Sequence, residues 1–346
     1  MGIDPNKKFI RNLKEAKILM KKLAAVILVV LLVSALCVAA SSGKVKTGLA
    51  VITELNKSTD AGDKPGLAQI DSTVVAVTVD SNGKIVKCVI DSVQSKINFD
   101  ASGKLITPVN TNFLSKNELG NGYGMKKASK IGKEWNEQAA ALAKYVVGKT
   151  VKEIKTIAVD AGLHPTGSDL KASVSISIGG YIEAIEKAVA KAQELGASSS
   201  DELGLGVMTN MAHSVNAGEK PGLAEGYSTY VAITKDAKGK ITSCLIDASQ
   251  GKVNFNTSGK ITTDTKASVK SKNELGDAYG MKKASKIGKE WNEQAAAFAK
   301  YVTGKTTSQV AGIAVNADGR AAGSDLLASV TVTITDLKAA LAKAAK

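Results

Sequence analysis

The residues best placed to do chemistry lie in one segment that the chain carries twice. Tyr123, Lys126, Lys127, Ser129, Lys130, Lys133 and Trp135 recur 156 positions later as Tyr279, Lys282, Lys283, Ser285, Lys286, Lys289 and Trp291. Between residues 115–145 and 271–301 only three of 31 positions differ: Asn121/Asp277, Gly122/Ala278 and Leu142/Phe298. On a helix, Lys126, Lys130 and Lys133 would share one face, at i, i+4 and i+7. A helix start behind a glycine turn, bearing Lys and Ser, is a seat for phosphate or another anion. A neighbouring Tyr or Trp could stack on a flat ring. Against this stands a plainer reading, with the lysines as a solvated helix face and Trp135 as a core residue.

Other chemistries find little support. His164 and His213 are not equivalent, because their counterparts are Arg320 and Lys57. A histidine triad or zinc site shared by both halves is therefore excluded, and no metal site is expected. Cys88 and Cys244 are counterparts inside apolar runs, which reads as two buried, unreactive thiols rather than a disulfide scaffold. Asp91/Asp247 and Glu134/Glu290 recur, but no carboxylate cluster stands out. No catalytic residues are assigned, and an enzyme is not the favoured reading.

The elements that must position the segment are also doubled. Residues 48–190 recur without a gap as 204–346; Lys64-Pro65-Gly66-Leu67-Ala68 returns as Lys220-Pro221-Gly222-Leu223-Ala224. Residues 74–79 and 84–90 read as strands around an Asn82-Gly83 hairpin turn. Asp100-Ala101-Ser102-Gly103 reads as another tight turn. Apolar residues Ile131, Trp135, Ala139, Leu142 and Val146 predict a long amphipathic helix over 125–147, ended by Gly148. A short helix near 151–156, a strand over 174–178 and a last helix over 181–195 complete the unit. In the second half, Thr335-Asp336 reads as the N-cap of that helix. The fold class is α+β: two tandem copies of one domain, each a small antiparallel sheet with a long amphipathic helix and a C-terminal helix. The domains are 44–195 and 204–346, joined by a linker at 196–203 whose Gly, Ala and Ser predict flexibility.

A leader precedes them. Lys21-Lys22 is followed by an 18-residue apolar run, 23–40, broken only by Ser34, and then Ser41-Ser42-Gly43. This is the pattern of an export signal cleaved after Val38-Ala39-Ala40. An uncleaved membrane anchor and a lipoprotein at Cys37 are the alternatives. Initiation at Met20 would give a leader of ordinary length.

Formal net charge is +14 over 346 residues, and residues 41–346 keep 39 basic against 30 acidic residues. That balance suits an anionic cell-wall or membrane surface. Nearly all the cations are Lys, and no aromatic-interleaved basic strand accompanies them, so nucleic acid is not an expected partner.

The motifs Val77-Thr78-Val79-Asp80-Ser81-Asn82-Gly83-Lys84-Ile85, residues 124–138 and Tyr145-Val146-Val147-Gly148-Lys149-Thr150 resemble uncharacterised exported repeat proteins of Gram-positive anaerobes. Members of that group look like FMN-binding-domain proteins or membrane-associated lipoproteins. The covalent flavin attachment pattern Ser-Gly-Ala-Thr is absent from the chain. The resemblance therefore implies FMN held noncovalently. Three readings of function follow: a non-catalytic extracytoplasmic binding or surface module with two equivalent sites, a noncovalent FMN-binding redox carrier, or a self-assembling surface or fibre component.

Overall fold

The computed structural model describes residues 43–346, so the expected leader lies outside the described residues. The described chain is mixed α and β. Three long strands open it: β1 Lys46–Glu54, β2 Gly66–Val79 and β3 Ile85–Phe99 form an antiparallel meander. The β2–β3 turn places Gly83 at φ +75°, a conformation that glycine adopts without strain. Asp80 Oδ1 accepts from the backbone N–H groups of Asn82 and Lys84, each at 2.9 Å, and closes the turn.

Next come β4 Asn112–Phe113, α1 Lys116–Leu119, α2 Trp135–Val146, α3 Val151–Ile154, α4 Ser168–Lys171 and α5 Gly179–Ala190. A second series follows: β5 Glu202–Asn210, β6 Gly222–Lys235, β7 Ile241–Phe255, α6 Lys272–Leu275, α7 Trp291–Val302, α8 Thr307–Ala311, α9 Ser324–Leu327 and α10 Thr335–Ala344. The second sheet has the order β4-β5-β6-β7, because β4 crosses over to pair with β5.

β2 and β3 run past the expected strand ends because they are buried on both faces, which erases the polar alternation used to read strands. One face takes the helices. Val75, Val77 and Ile85 pack there against Trp135, Leu142, Ile185 and Ala188. The other face meets the opposite sheet through Leu49, Val51, Val74 and Ala76 against Val207, Tyr230 and Ala232. A further cluster joins the strand ends, where the Phe99 and Phe255 rings stack at 4.3 Å with planes 8° apart.

Contacts between the halves occur in pairs with the roles exchanged. Ala61 N–H donates to Gly259 O and Ala217 N–H to Gly103 O, both at 2.8 Å. Lys187 pairs with Glu274 at 2.6 Å, and Lys343 with Glu118 at 2.8 Å. The exchange is incomplete: Thr47 Oγ1 bonds Ser243 Oγ at 2.7 Å, where the exchanged positions are Leu203 and Lys87. A Cβ on Gly251 would run into the Ile70 side chain and one on Gly226 would press against Ser95 and Ile70, whereas the counterparts of these glycines are Ser95 and Ile70. Residues 44–346 thus form one compact unit.

Several elements differ from their sequence-based expectation. Residues 196–203 are pinned rather than loose: Val45 N–H donates to Ala197 O at 3.1 Å, Ala197 is buried, and Asp201 accepts from Thr242 Oγ1 at 2.6 Å. Residues 174–178 form no strand, because the Ser175 and Ile176 N–H groups bond the Gln138 side chain instead of a neighbouring strand. The last helix of the first half ends at Ala190. In α10 the N-cap is Ile334, and Thr335 Oγ1 donates back to Gly319 O at 3.3 Å.

The long helix over 125–147 is shortened most. It begins only at Trp135, and residues 124–134 are a turn-rich loop. Gly124 and Gly132 take φ +77° and +64°, outside the helical region. The buried Glu134 carboxylate accepts from Met125 N–H at 2.9 Å and Lys126 N–H at 3.0 Å, which folds the loop back on the helix start.

Candidate functional site

The shortened helix redistributes the expected site residues. Lys126, Lys127 and Lys130, with Lys282, Lys283 and Lys286, are exposed on loops and share no helical face. Lys133 and Lys289 are half-buried. Ser129 and Ser285 hold their loops, each accepting from a Gln side chain, Gln138 or Gln294, at 3.1 Å. Trp135 and Trp291 are buried core residues at the starts of α2 and α7.

The two halves converge instead on a lysine that sequence reasoning did not single out. In the second half it is Lys272, 3% exposed. Ser271 and Glu274 form a capping box around α6. Asp247 Oδ1 accepts from Asn273 N–H at 3.0 Å, which clips α6 to β7. Burial holds the Asp247 carboxyl above its ordinary range. The Lys272 Nζ lies 4.5 Å from the Tyr227 ring, 4.5 Å from Tyr279 and 4.8 Å from Trp291. It donates to Tyr227 OH at 2.8 Å. Among the described residues it forms no ion pair. Burial lowers its pKa to about 7 and raises that of Tyr227. A lysine so placed exchanges readily between ammonium and amine near neutrality.

Lys272 lines a cavity of about 540 Å³. His213, Gln250, Tyr279, Trp291, Arg320, Thr331, Asp336 and Leu337 form much of its wall, with the expected residues Ser285 and Lys286 at its edge. Gln294, fully buried, braces two sides: its Nε2 holds Ser285, and its Oε1 accepts from Thr331 N–H at 2.8 Å. The size suits a small organic molecule. Cations outnumber anions on the wall, and Asp336 is engaged by Asn210 Nδ2 at 3.1 Å.

The first half carries the same lysine in different company. Lys116 Nζ lies 4.6 Å from the Tyr123 ring and 5.0 Å from Trp135, and burial lowers its pKa to about 8. Where the second half has Tyr227 the first has Asp71, which binds Lys57 at 2.7 Å. Where the second half has Leu337 the first has Tyr181, whose OH accepts from Trp135 Nε1 at 2.8 Å. The two expected sites are therefore not equivalent in their surroundings.

Cys88 and Cys244 are free, and burial pushes both thiols up to about 12, which makes them poor nucleophiles. Among the described residues, no group of three or more His, Cys, Asp and Glu side chains could hold a metal ion, and no helix is long and apolar enough to cross a membrane. Comparison of the chain with protein-family models, with curated proteins and with solved structures finds no match.

Proposed function

We propose that the chain is a pair of copies of one unit that work as a non-catalytic extracytoplasmic binding module, with the ligand in the cavity beside Lys272. The paired elements and the exchanged contacts support the doubled unit, and the expected export leader supports the location. One observation carries the site. A buried lysine without an ion pair faces a cavity in the second half, while Tyr181 occupies the corresponding place in the first. The excess of cations favours an anionic ligand, and the aromatic walls favour one with a flat or apolar body.

A flavin reading draws on the same walls: three aromatic rings with Arg320, Lys286 and His213 nearby would suit a ring system carrying a phosphate. FMN is accordingly the first ligand to test. Its titration should quench Trp291 fluorescence in a Trp135→Phe background, with a stoichiometry of one. Leu337→Tyr should abolish the effect by placing in the cavity the ring that Tyr181 provides in the first half. A protein that gives neither quenching nor a thermal shift with FMN is not a flavin carrier. If a panel of other anionic aromatic ligands also gives no Leu337→Tyr-sensitive binding, the binding-module reading fails.

A further inference from the structure

The binding reading leaves open why the cavity is built around a lysine that no carboxylate neutralises. We infer that Lys272 captures a small aldehyde or ketone bearing an anionic group, as a reversible imine on its Nζ. The inference rests on the cavity being a ligand site and adds the bond by which the ligand is held.

Three features carry it. The Nζ is fixed by the Tyr227 hydroxyl at 2.8 Å and by three rings within 4.8 Å, so its position is defined before any ligand arrives. Glu225, the buried carboxylate on the same strand as Tyr227, is taken by His213 at 3.0 Å and by Gln250 at 2.9 Å. Lastly, Arg320 and Lys286 line the same cavity and offer charge to the ligand's anion.

The chemistry balances without an oxidant or reductant. The Nζ lone pair attacks the carbonyl carbon and gives a carbinolamine. Loss of the hydroxyl as water leaves the C=N bond, and the proton lost by nitrogen equals the one the leaving hydroxyl gains. Tyr227 OH, kept protonated by burial, is in reach to pass that proton. Desolvation supplies free amine near neutrality, the usual route to a nucleophilic lysine. The charged and titratable groups around it are Tyr227 and Glu225 on β6, Asp247 and Lys252 on β7, Tyr279 after α6, and His213, Lys286, Arg320 and Asp336 on the cavity wall. In the first half the corresponding lysine has Asp71 nearby, and Tyr181 closes over the Trp beside it.

Glyoxylate is the probe, with cyanoborohydride present to reduce any imine to a stable carboxymethyl amine. Mass spectrometry of the digested protein then reads the rate at each lysine. At pH 7 Lys272 should react at least about tenfold faster than exposed Lys282 and Lys283, because burial lowers its pKa to about 7 and the cavity holds its Nζ in place. Leu337→Tyr should slow it, Lys272→Arg should abolish it, and Arg320→Ala should slow capture of glyoxylate but not of uncharged acetaldehyde. Labelling spread evenly over exposed lysines overturns the inference. If that happens while Leu337→Tyr-sensitive binding of a non-carbonyl ligand persists, only the imine falls; if both are lost, the cavity is not a ligand site.

Discussion

Replacing Phe99 with Ala tests whether the two halves fold as one body. Phe99 belongs to β3 of the first half, but its ring lies flat on Phe255 of the second, and both are fully buried. Removing a buried Phe costs about 3–5 kcal/mol, and the stack itself is worth about 0.5–1.5 kcal/mol beyond area. Against a usual total of about 5–15 kcal/mol, the loss should be plain. The tryptophans supply one reporter per half. Urea unfolding followed by Trp135 fluorescence in a Trp291→Phe protein, and by Trp291 in a Trp135→Phe protein, should give coincident midpoints. Phe99→Ala should lower both together, although the residue lies in one half only. Adding Phe255→Ala should cost less than a second full penalty, because the stack is already gone. The cooperative reading is refuted if only the Trp135 midpoint moves, or if the two substitutions add within about 0.3–0.5 kcal/mol.

Three other substitutions probe the devices around the site. Gly206→Ala would drive a methyl group into the backbone of Ala340 and Ala344 on α10, so a loss at or above the upper end of about 1–3 kcal/mol is expected by urea unfolding. Glu134→Ala leaves the Met125 and Lys126 N–H groups without their acceptor, at about 1–3 kcal/mol for each if it stays buried. Limited trypsin digestion should then cut sooner after Lys126, Lys127 and Lys130, and an unchanged digestion would refute the role given to Glu134. Burial holds the Asp91 carboxyl at about 6, above its unfolded value near 4. The folded state therefore keeps a proton that the unfolded state releases, and stability falls as pH rises between those values. Asp91→Asn removes that loss, so its stability relative to wild type should improve by up to about 3 kcal/mol from pH 4 to pH 7; no change in relative urea midpoints would refute it.

The turns and the buried tryptophans were legible because their causes are local. Asn82-Gly83 needs a glycine at positive φ, and Trp135 falls on an apolar stripe that survives in α2. The loop over 124–134 was not. Its Lys and Ala residues favour helix, and Gly124 and Gly132 at positive φ together with the reach of Glu134 back to two N–H groups override them. Lys272 was hidden for a related reason. A lysine inside a Ser-Lys-Asn-Glu capping box reads as a surface cation, and nothing local says that β6, the turn before Gly280 and α7 bring three rings around it. The strand ends carry no local signal because residues such as Ser72 and Ser95 are buried between layers. The inequality of the halves was partly visible: His213 opposite Lys57 marks a wall of the cavity, but the pairing of Tyr181 with Leu337 gains meaning only beside Trp135 and Trp291.

Ile70 has a consequence for how such chains recognise one another. Its side chain occupies the room left by Gly226 and Gly251, and its own counterpart is one of those glycines. Two first halves placed face to face would bring a pair of isoleucines against serines where glycine is needed. Two second halves would leave hollows that nothing fills, and unfilled volume between layers is costly. Each half thus fits its opposite better than it fits itself. The seam therefore reads one way only, with the half that carries Ile70 matched to the half that carries the two glycines.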